Sequence, residues 1–242
     1  MKKLIVSLGL ALTLSFGTTY NEGVEAANKG DYKTALIIFE DLASKNDAEA
    51  QNELGLIYEN GYGVKQDYLK AKEWYEKAAS QDYAPAQSNL GVMYYYGEGV
   101  KQDYLQAKEW FEKAVSKGNT IAEYNLGLIY KNGYDVKQNY KKAIELYEKA
   151  ATKGMAEAQY NLGNMYVNGH GVKQNYKKAK EWWEKSAAQG HMSSNNNLGV
   201  LYQYGYGVKQ NYKKAKDLYA KACDNGDQGG CDNYKKLNQQ GY

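Results

Sequence analysis

Few side chains in this 242-residue chain are of types that could do chemistry, and their spacing limits what that chemistry could be. A serine nucleophile needs a lysine or histidine held one turn away. No serine here has lysine three residues on: Ser44 is followed by Asp47, Ser186 by Gln189 and Ser193 by Asn196. Lys-Thr-Gly and Ser-Asp-Asn are also absent. Metal catalysis needs several imidazoles or thiolates, but the only histidines are His170 and His191. The acids Glu181, Glu184 and Asp217 could suggest general acid–base work. Glu181 and Glu184, however, have copies elsewhere at a fixed spacing, which suits a solvated face better than a unique dyad. The Gly-x-Gly elements lack the third glycine and the preceding strand of a phosphate-binding loop, so they read as turns. The sequence therefore implies no catalytic residue, no metal and no cofactor. Cys223 and Cys231, eight apart, are either a disulfide in an oxidising compartment or two buried thiols.

The elements that would position these residues repeat with a period of 36. The block beginning at Ala48 returns at Ala84, Thr120, Ala156 and Met192 without insertion, so Leu54, Leu90, Leu126, Leu162 and Leu198 are equivalent. A fixed period of this length marks stacked supersecondary units. In each unit Ala50, Leu54, Ile57 and Tyr58 form one helical stripe, and Tyr68, Ala71, Trp74, Tyr75 and Ala78 form the stripe of a second helix. Between them lies Gly61-Tyr62-Gly63-Val64-Lys65-Gln66, whose glycines can take the positive φ that ends a helix. Asp67, Asp103, Asn139, Asn175 and Asn211 stand where a second helix needs an N-cap. Gly55 and its copies Gly91, Gly127, Gly163 and Gly199 fall mid-helix, where glycine costs about 1 kcal/mol, which predicts a close approach with no room for a side chain. Glu73 and Lys77, with their copies, have the spacing of surface ion pairs.

Residues 156–172 (Ala-x-Ala-Gln-x-Asn-Leu-Gly-x-Met-Tyr-x-x-Gly-x-Gly-Val) and 175–187 (Asn-Tyr-x-Lys-Ala-x-x-Trp-Trp-x-Lys-Ser-Ala) resemble the Sel1-like repeat family, a branch of the tetratricopeptide-like solenoids. The resemblance implies an all-α fold, a right-handed superhelical solenoid of antiparallel helix pairs. Its organisation would be an N-terminal cap over residues 18–47, five repeats over 48–227 and a capping helix over 228–242. It also implies a concave groove lined by the first helix of each pair. The residue before each motif leucine would face that groove: Asn89, Asn125, Asn161 and Asn197, after Glu53 in the first copy. Such amides both donate and accept hydrogen bonds, which suits an extended peptide. Tyr124 and Tyr160, one residue earlier, are variable neighbours that could select a partner.

The segment Lys221 to Cys231 further resembles the cysteine-rich Sel1-repeat proteins of Helicobacter, which implies a disulfide between Cys223 and Cys231 pinning the last helix. Those relatives are commonly labelled β-lactamases or penicillin-binding proteins. That label supplies the alternative of a weak β-lactam-directed activity, besides that of a secreted host-interacting factor.

Residues 1–17 break the period. Lys2 and Lys3 precede an apolar run from Leu4 to Leu14, and Ser15 and Gly17 offer small residues for cleavage, as in a signal peptide. The run is short for a membrane span, and the alternative to a cleaved leader is an uncleaved anchor. With Lys+Arg 31 against Asp+Glu 28, the net charge of +3 gives no electrostatic case for nucleic acid or an anionic membrane. The expectation is an exported protein, periplasmic or secreted and free of the membrane after cleavage. It would be a monomeric, non-catalytic scaffold that binds a protein or extended peptide through its groove.

Overall fold

The computed structural model describes residues 19–241, so the leader expected over residues 1–17 lies outside the described residues. Among those residues there are thirteen α-helices and no strands. The chain divides into two compact units, one ending at Ala86 and the other beginning at Gln87.

The first unit is built from α1 (Tyr20–Asn28), α2 (Tyr32–Ser44), α3 (Ala48–Asn60) and α4 (Tyr68–Ser80), each packed on its predecessor. Its core joins Ala35, Phe39, Ala43, Ala50, Leu54 and Ile57. Helix α5 (Ala84–Tyr96) begins at the end of this unit and continues into the second.

The second unit continues with α6 (Tyr104–Ser116), α7 (Thr120–Asn132), α8 (Tyr140–Thr152), α9 (Ala156–Asn168), α10 (Tyr176–Ala188), α11 (Met192–Tyr204), α12 (Tyr212–Asp224) and α13 (Gln228–Gln239). From α6 onward each helix packs on the next, the consecutive pair packing of an all-α solenoid. Phe111, Leu126, Ile129, Tyr147, Leu162 and Met165 share one buried cluster. Trp183, Leu198 and Leu201 form the next, and Tyr219 with Leu237 closes the series.

The same local devices bound each pair. Asp67, Asp103, Asn139, Asn175 and Asn211 each accept a hydrogen bond from a backbone N–H in the first turn of the following helix, satisfying a donor the helix cannot. The second helices end at a residue with positive φ: Asn46, Asp82, Gly118, Gly154, Gly190 and Gly226. Each mid-helix glycine faces the large ring of its partner helix. A Cβ on Gly91 would lie 2.5 Å from the Phe111 ring and one on Gly127 2.6 Å from the Tyr147 ring. The loop glutamine has a task that its repetition alone did not reveal. The side-chain amides of Gln66, Gln102, Gln138, Gln174 and Gln210 each donate to a carbonyl at the end of the preceding helix, at 2.7–2.8 Å. This satisfies an acceptor that would otherwise be orphaned at a helix terminus.

Two surface details differ from the sequence expectation. The ion pairs formed are Lys72–Glu76, Lys108–Glu112 and Lys180–Glu184, rather than Glu73–Lys77 and its copies. Lys77, Lys113 and Lys185 instead lie 3.7–4.4 Å from the ring centres of Trp74, Trp110 and Trp182. A tryptophan face one turn back offers the ammonium both a quadrupole and apolar cover for its stem. Trp74 is accordingly half-buried, not a core residue.

Candidate functional site

The expected groove residues stand on the first helices of the pairs: Asn89 on α5, Tyr124 and Asn125 on α7, Tyr160 and Asn161 on α9, and Asn197 on α11. The structure brings several into direct or second-hand contact. The Asn161 Nδ2 donates to the Tyr124 hydroxyl at 3.3 Å and to the Glu157 carbonyl at 3.0 Å. The Asn197 Nδ2 donates to Asn164 Oδ1 at 3.3 Å, and the Asn233 Nδ2 donates to Asn196 Oδ1 at 2.9 Å. These amides therefore link neighbouring first helices as well as lining them. Asn125 is buried at 8% exposure, and Asn89 is half-buried. In the first unit the corresponding Glu53 accepts from the Tyr20 hydroxyl at 3.2 Å, and burial raises its carboxyl pKa.

The two tyrosines differ. Burial pushes the Tyr124 hydroxyl pKa up, and its ring tilts against Tyr147 at 5.8 Å between centres. The Tyr160 ring stacks on His191 at 4.4 Å. His191 is in turn 3.1 Å from Ser194 Oγ through Nδ1. This pair cannot serve as a nucleophile and base. Ser194 is fully buried and donates its only hydroxyl proton to Ser186 Oγ at 2.9 Å, and Ser186 donates to the Ala156 carbonyl at 2.8 Å. With both protons committed, Nδ1 must carry the hydrogen, so the imidazole donates to the serine rather than accepting from it. His170 stacks on Tyr140 at 4.7 Å in the loop after α9. Among the described residues no group of three His, Cys, Asp or Glu is placed to hold a metal ion.

Two cavities flank α9. The larger, about 390 Å³, includes Lys131, Asn132, Asn161, Asn164, Asn168 and His170 in its lining. The smaller, about 230 Å³, is more apolar and is lined by Asn164, Val167, Tyr176, Trp183, Asn197, Val200, Leu201 and Tyr206. Asn164 belongs to both. Lys131 and Asn164 were not singled out in the sequence. Lys131 falls at a position that varies as Glu59, Tyr95, Val167 and Gln203, and that variability is the only signal that could have marked it. At the C-terminus, Cys223 lies in the last turn of α12 and Cys231 on α13, with Cα atoms 4.5 Å apart and the sulfurs placed for a disulfide.

Antiparallel helix pairs in tandem, with polar first helices and large rings clamped on glycines, define a tetratricopeptide-like repeat protein. The chain belongs to the Sel1 repeat family, which it matches over residues 48–83, 84–119, 120–155, 156–191 and 193–227. It is similar to the structure of c5321, a protective antigen present in uropathogenic Escherichia coli, with 32% identity over 92% of this chain and a TM-score of 0.82. This chain spans about half of that protein, 49% of its length. A Sel1 repeat protein from Oxalobacter formigenes matches with 29% identity, covering 87% of this chain and 84% of its own, at a TM-score of 0.81. Helicobacter pylori cysteine rich protein B is a more distant structural match, with 27% identity, coverage of 56% and 97%, and a TM-score of 0.43. A comparison with curated proteins found no match.

Proposed function

We propose that this protein is an exported, non-catalytic scaffold that binds an extended segment of a protein partner across the first helices of its repeats. The observation that carries the reading is the polar surface shared by α7, α9 and α11. There Asn161, Asn164, Asn168 and Asn197 line two adjoining cavities, so side-chain amides adjoin room for side chains. An extended chain presents both kinds of group at regular intervals, and a preformed row of amides matches it without large rearrangement. Sel1-repeat proteins generally bind proteins, which agrees with this reading. Export is supported by the basic and apolar character of residues 1–17 and by the disulfide-capable cysteine pair. It is in keeping with the E. coli relative being a protective antigen.

Site-specific photocrosslinking tests the binding face. A photoreactive side chain at Asn168 on α9, and another at Lys177 on the exposed side of α10, are compared in the native envelope. The reading expects a discrete protein adduct from position 168 and none from 177. An adduct from 177 alone would remove the first-helix assignment. Fractionation of the untagged protein, with N-terminal sequencing of the product, tests export and cleavage near residue 17.

A further inference from the structure

Lys131 departs from a pairing that the first and fifth repeats make. The buried tyrosine of the second helix hydrogen-bonds an acceptor at the end of the first: Tyr75 to Glu59, and Tyr219 to Gln203 at 2.5 Å. In the third repeat the tyrosine is Tyr147, and the residue at the acceptor position is Lys131. An ammonium cannot accept a hydrogen bond. Tyr147 is fully buried, and its hydroxyl has no hydrogen-bond partner among the described residues. Lys131 also gains nothing visible in exchange. It is half-buried, no Asp or Glu is among the residues lining its cavity, and desolvation lowers its pKa. A half-buried cation with no acid lining its cavity, in a repeat whose core hydroxyl is left unsatisfied, is a local conflict of the kind that folding alone would not favour.

The surroundings specify what would resolve it. Asn197 donates to Asn164 Oδ1, which fixes that amide with its oxygen toward α11. Its Nδ2 is a donor, and Asn164 also lines the cavity of Lys131. An ammonium and a side-chain amide lining one open space that no Asp or Glu lines suit a carboxylate. Across Asn164 lies the smaller cavity, with Val167, Val200 and Leu201 in its wall, sized for a single aliphatic or aromatic side chain. An extended strand sends alternate side chains to the same face, about 6.6 Å apart.

We infer that the face formed by α7, α9 and α11 recognises an internal acidic–x–apolar segment of a protein partner, with the Asp or Glu side chain held by Lys131 and Asn164 and the apolar side chain seated against Val167, Val200 and Leu201. This rests on the scaffold reading above and names the chemistry of its partner. The acid is assigned to a side chain rather than a chain terminus because the polar row runs on past the cavity on both sides, from Tyr124 on α7 to Asn196 and Asn233. A bound chain thus has surface to follow in either direction.

The test uses the full chain and an array of random decapeptides capped at both ends, with a matched set bearing free C-termini. Bound capped peptides should be enriched in Asp or Glu two positions from Leu, Ile or Phe. In Lys131→Gln the binding of those peptides should fall about tenfold, as expected for losing one charged hydrogen bond, while the apolar preference persists. The substitution Lys131→Gln also offers Tyr147 the kind of acceptor that Gln203 gives Tyr219, so this variant keeps its fold. Val200→Asp should remove the apolar preference. Enrichment without an acid, an acid preference that survives Lys131→Gln, or binding confined to free C-termini would each overturn the inference while leaving a peptide groove in place. Failure of every peptide to bind would overturn both readings.

Discussion

Glu123 on α7, only 3% exposed, is ion-paired with Lys153 at 2.7 Å, where the first and fourth repeats join Gln51 to Gln81 and Gln159 to Gln189. The third repeat has thus exchanged an amide pair for a charged one at the same place. Lys153 also donates to the Gly118 carbonyl, and Glu123 Oε2 has no hydrogen-bond partner among the described residues. Removing only the cation leaves a buried carboxylate uncompensated, whereas changing both partners restores the neighbouring solution. Lys153→Met should therefore destabilise the protein by about 1–3 kcal/mol, and Glu123→Gln with Lys153→Gln should lie within about 0.5 kcal/mol of the parent or above it. Urea denaturation of the two variants measures this, and an equal loss in both would refute the exchange.

The mid-helix glycines make a second prediction against helix propensity. Alanine at an exposed glycine of a helix stabilises by about 1 kcal/mol. At Gly127 its Cβ would meet the fully buried Tyr147 ring, which is itself wedged between α7 and α8. Gly127→Ala should cost about 1–3 kcal/mol net through overpacking. Hydrogen exchange should show the loss first in α7 and α8. A neutral or stabilising result would mean that the ring moves aside freely.

The cysteine pair occupies a linkage that other repeats make with a hydrogen bond. Gln51 Nε2 reaches the Ala43 carbonyl at 3.5 Å, and Gln159 Nε2 reaches the Ala151 carbonyl at 3.0 Å, each across eight residues. Cys231 stands in the glutamine position and Cys223 in the alanine position. A disulfide between them would replace that hydrogen bond with a covalent tie between α12 and α13. Cys231→Ser should weaken α13 by about 2–3 kcal/mol, seen as faster amide exchange in α13 with α7–α10 unchanged. Exchange that is insensitive to both the substitution and a reductant would show that packing alone holds the cap.

Much of this was legible because the period repeats each local rule. The N-cap position of Asn175, the left-handed terminus at Asn46 and Asp82, and the tight approach at Gly127 follow from residue type at a fixed place in the repeat. Lys131 was not legible for the opposite reason. Its significance lies in the Tyr147 hydroxyl sixteen residues on, whose lack of a partner is a property of the fold and not of the residue type. The Asn161 and Asn197 amides were readable as a row facing outward, but not as donors already spent on Tyr124 and Asn164. A side chain that both lines a groove and ties its walls has one sequence signature for two roles.

His191 supplies the pH prediction. Burial beneath Tyr160 lowers its pKa from the ordinary 6.5, outweighing the opposing pull of Glu157 and Asp227. The unfolded chain then binds more protons than the folded one as pH falls below about 7. Stability is therefore full above the unfolded value and declines as pH drops through the folded one. The decline is modest because the ring is only half-buried. In proton NMR the His191 ring should titrate below 6.5, and its Nδ1 should show the shift of a protonated nitrogen in the neutral form, as its bond to Ser194 requires. His191→Gln should flatten the fall in melting temperature between about pH 7 and 5 relative to the parent. A titration midpoint at or above 6.5 would show that burial does not govern the ring, whereas an unprotonated Nδ1 would mean that the Ser194 hydroxyl donates to the imidazole, and the exclusion of that pair as a nucleophile and base would fall.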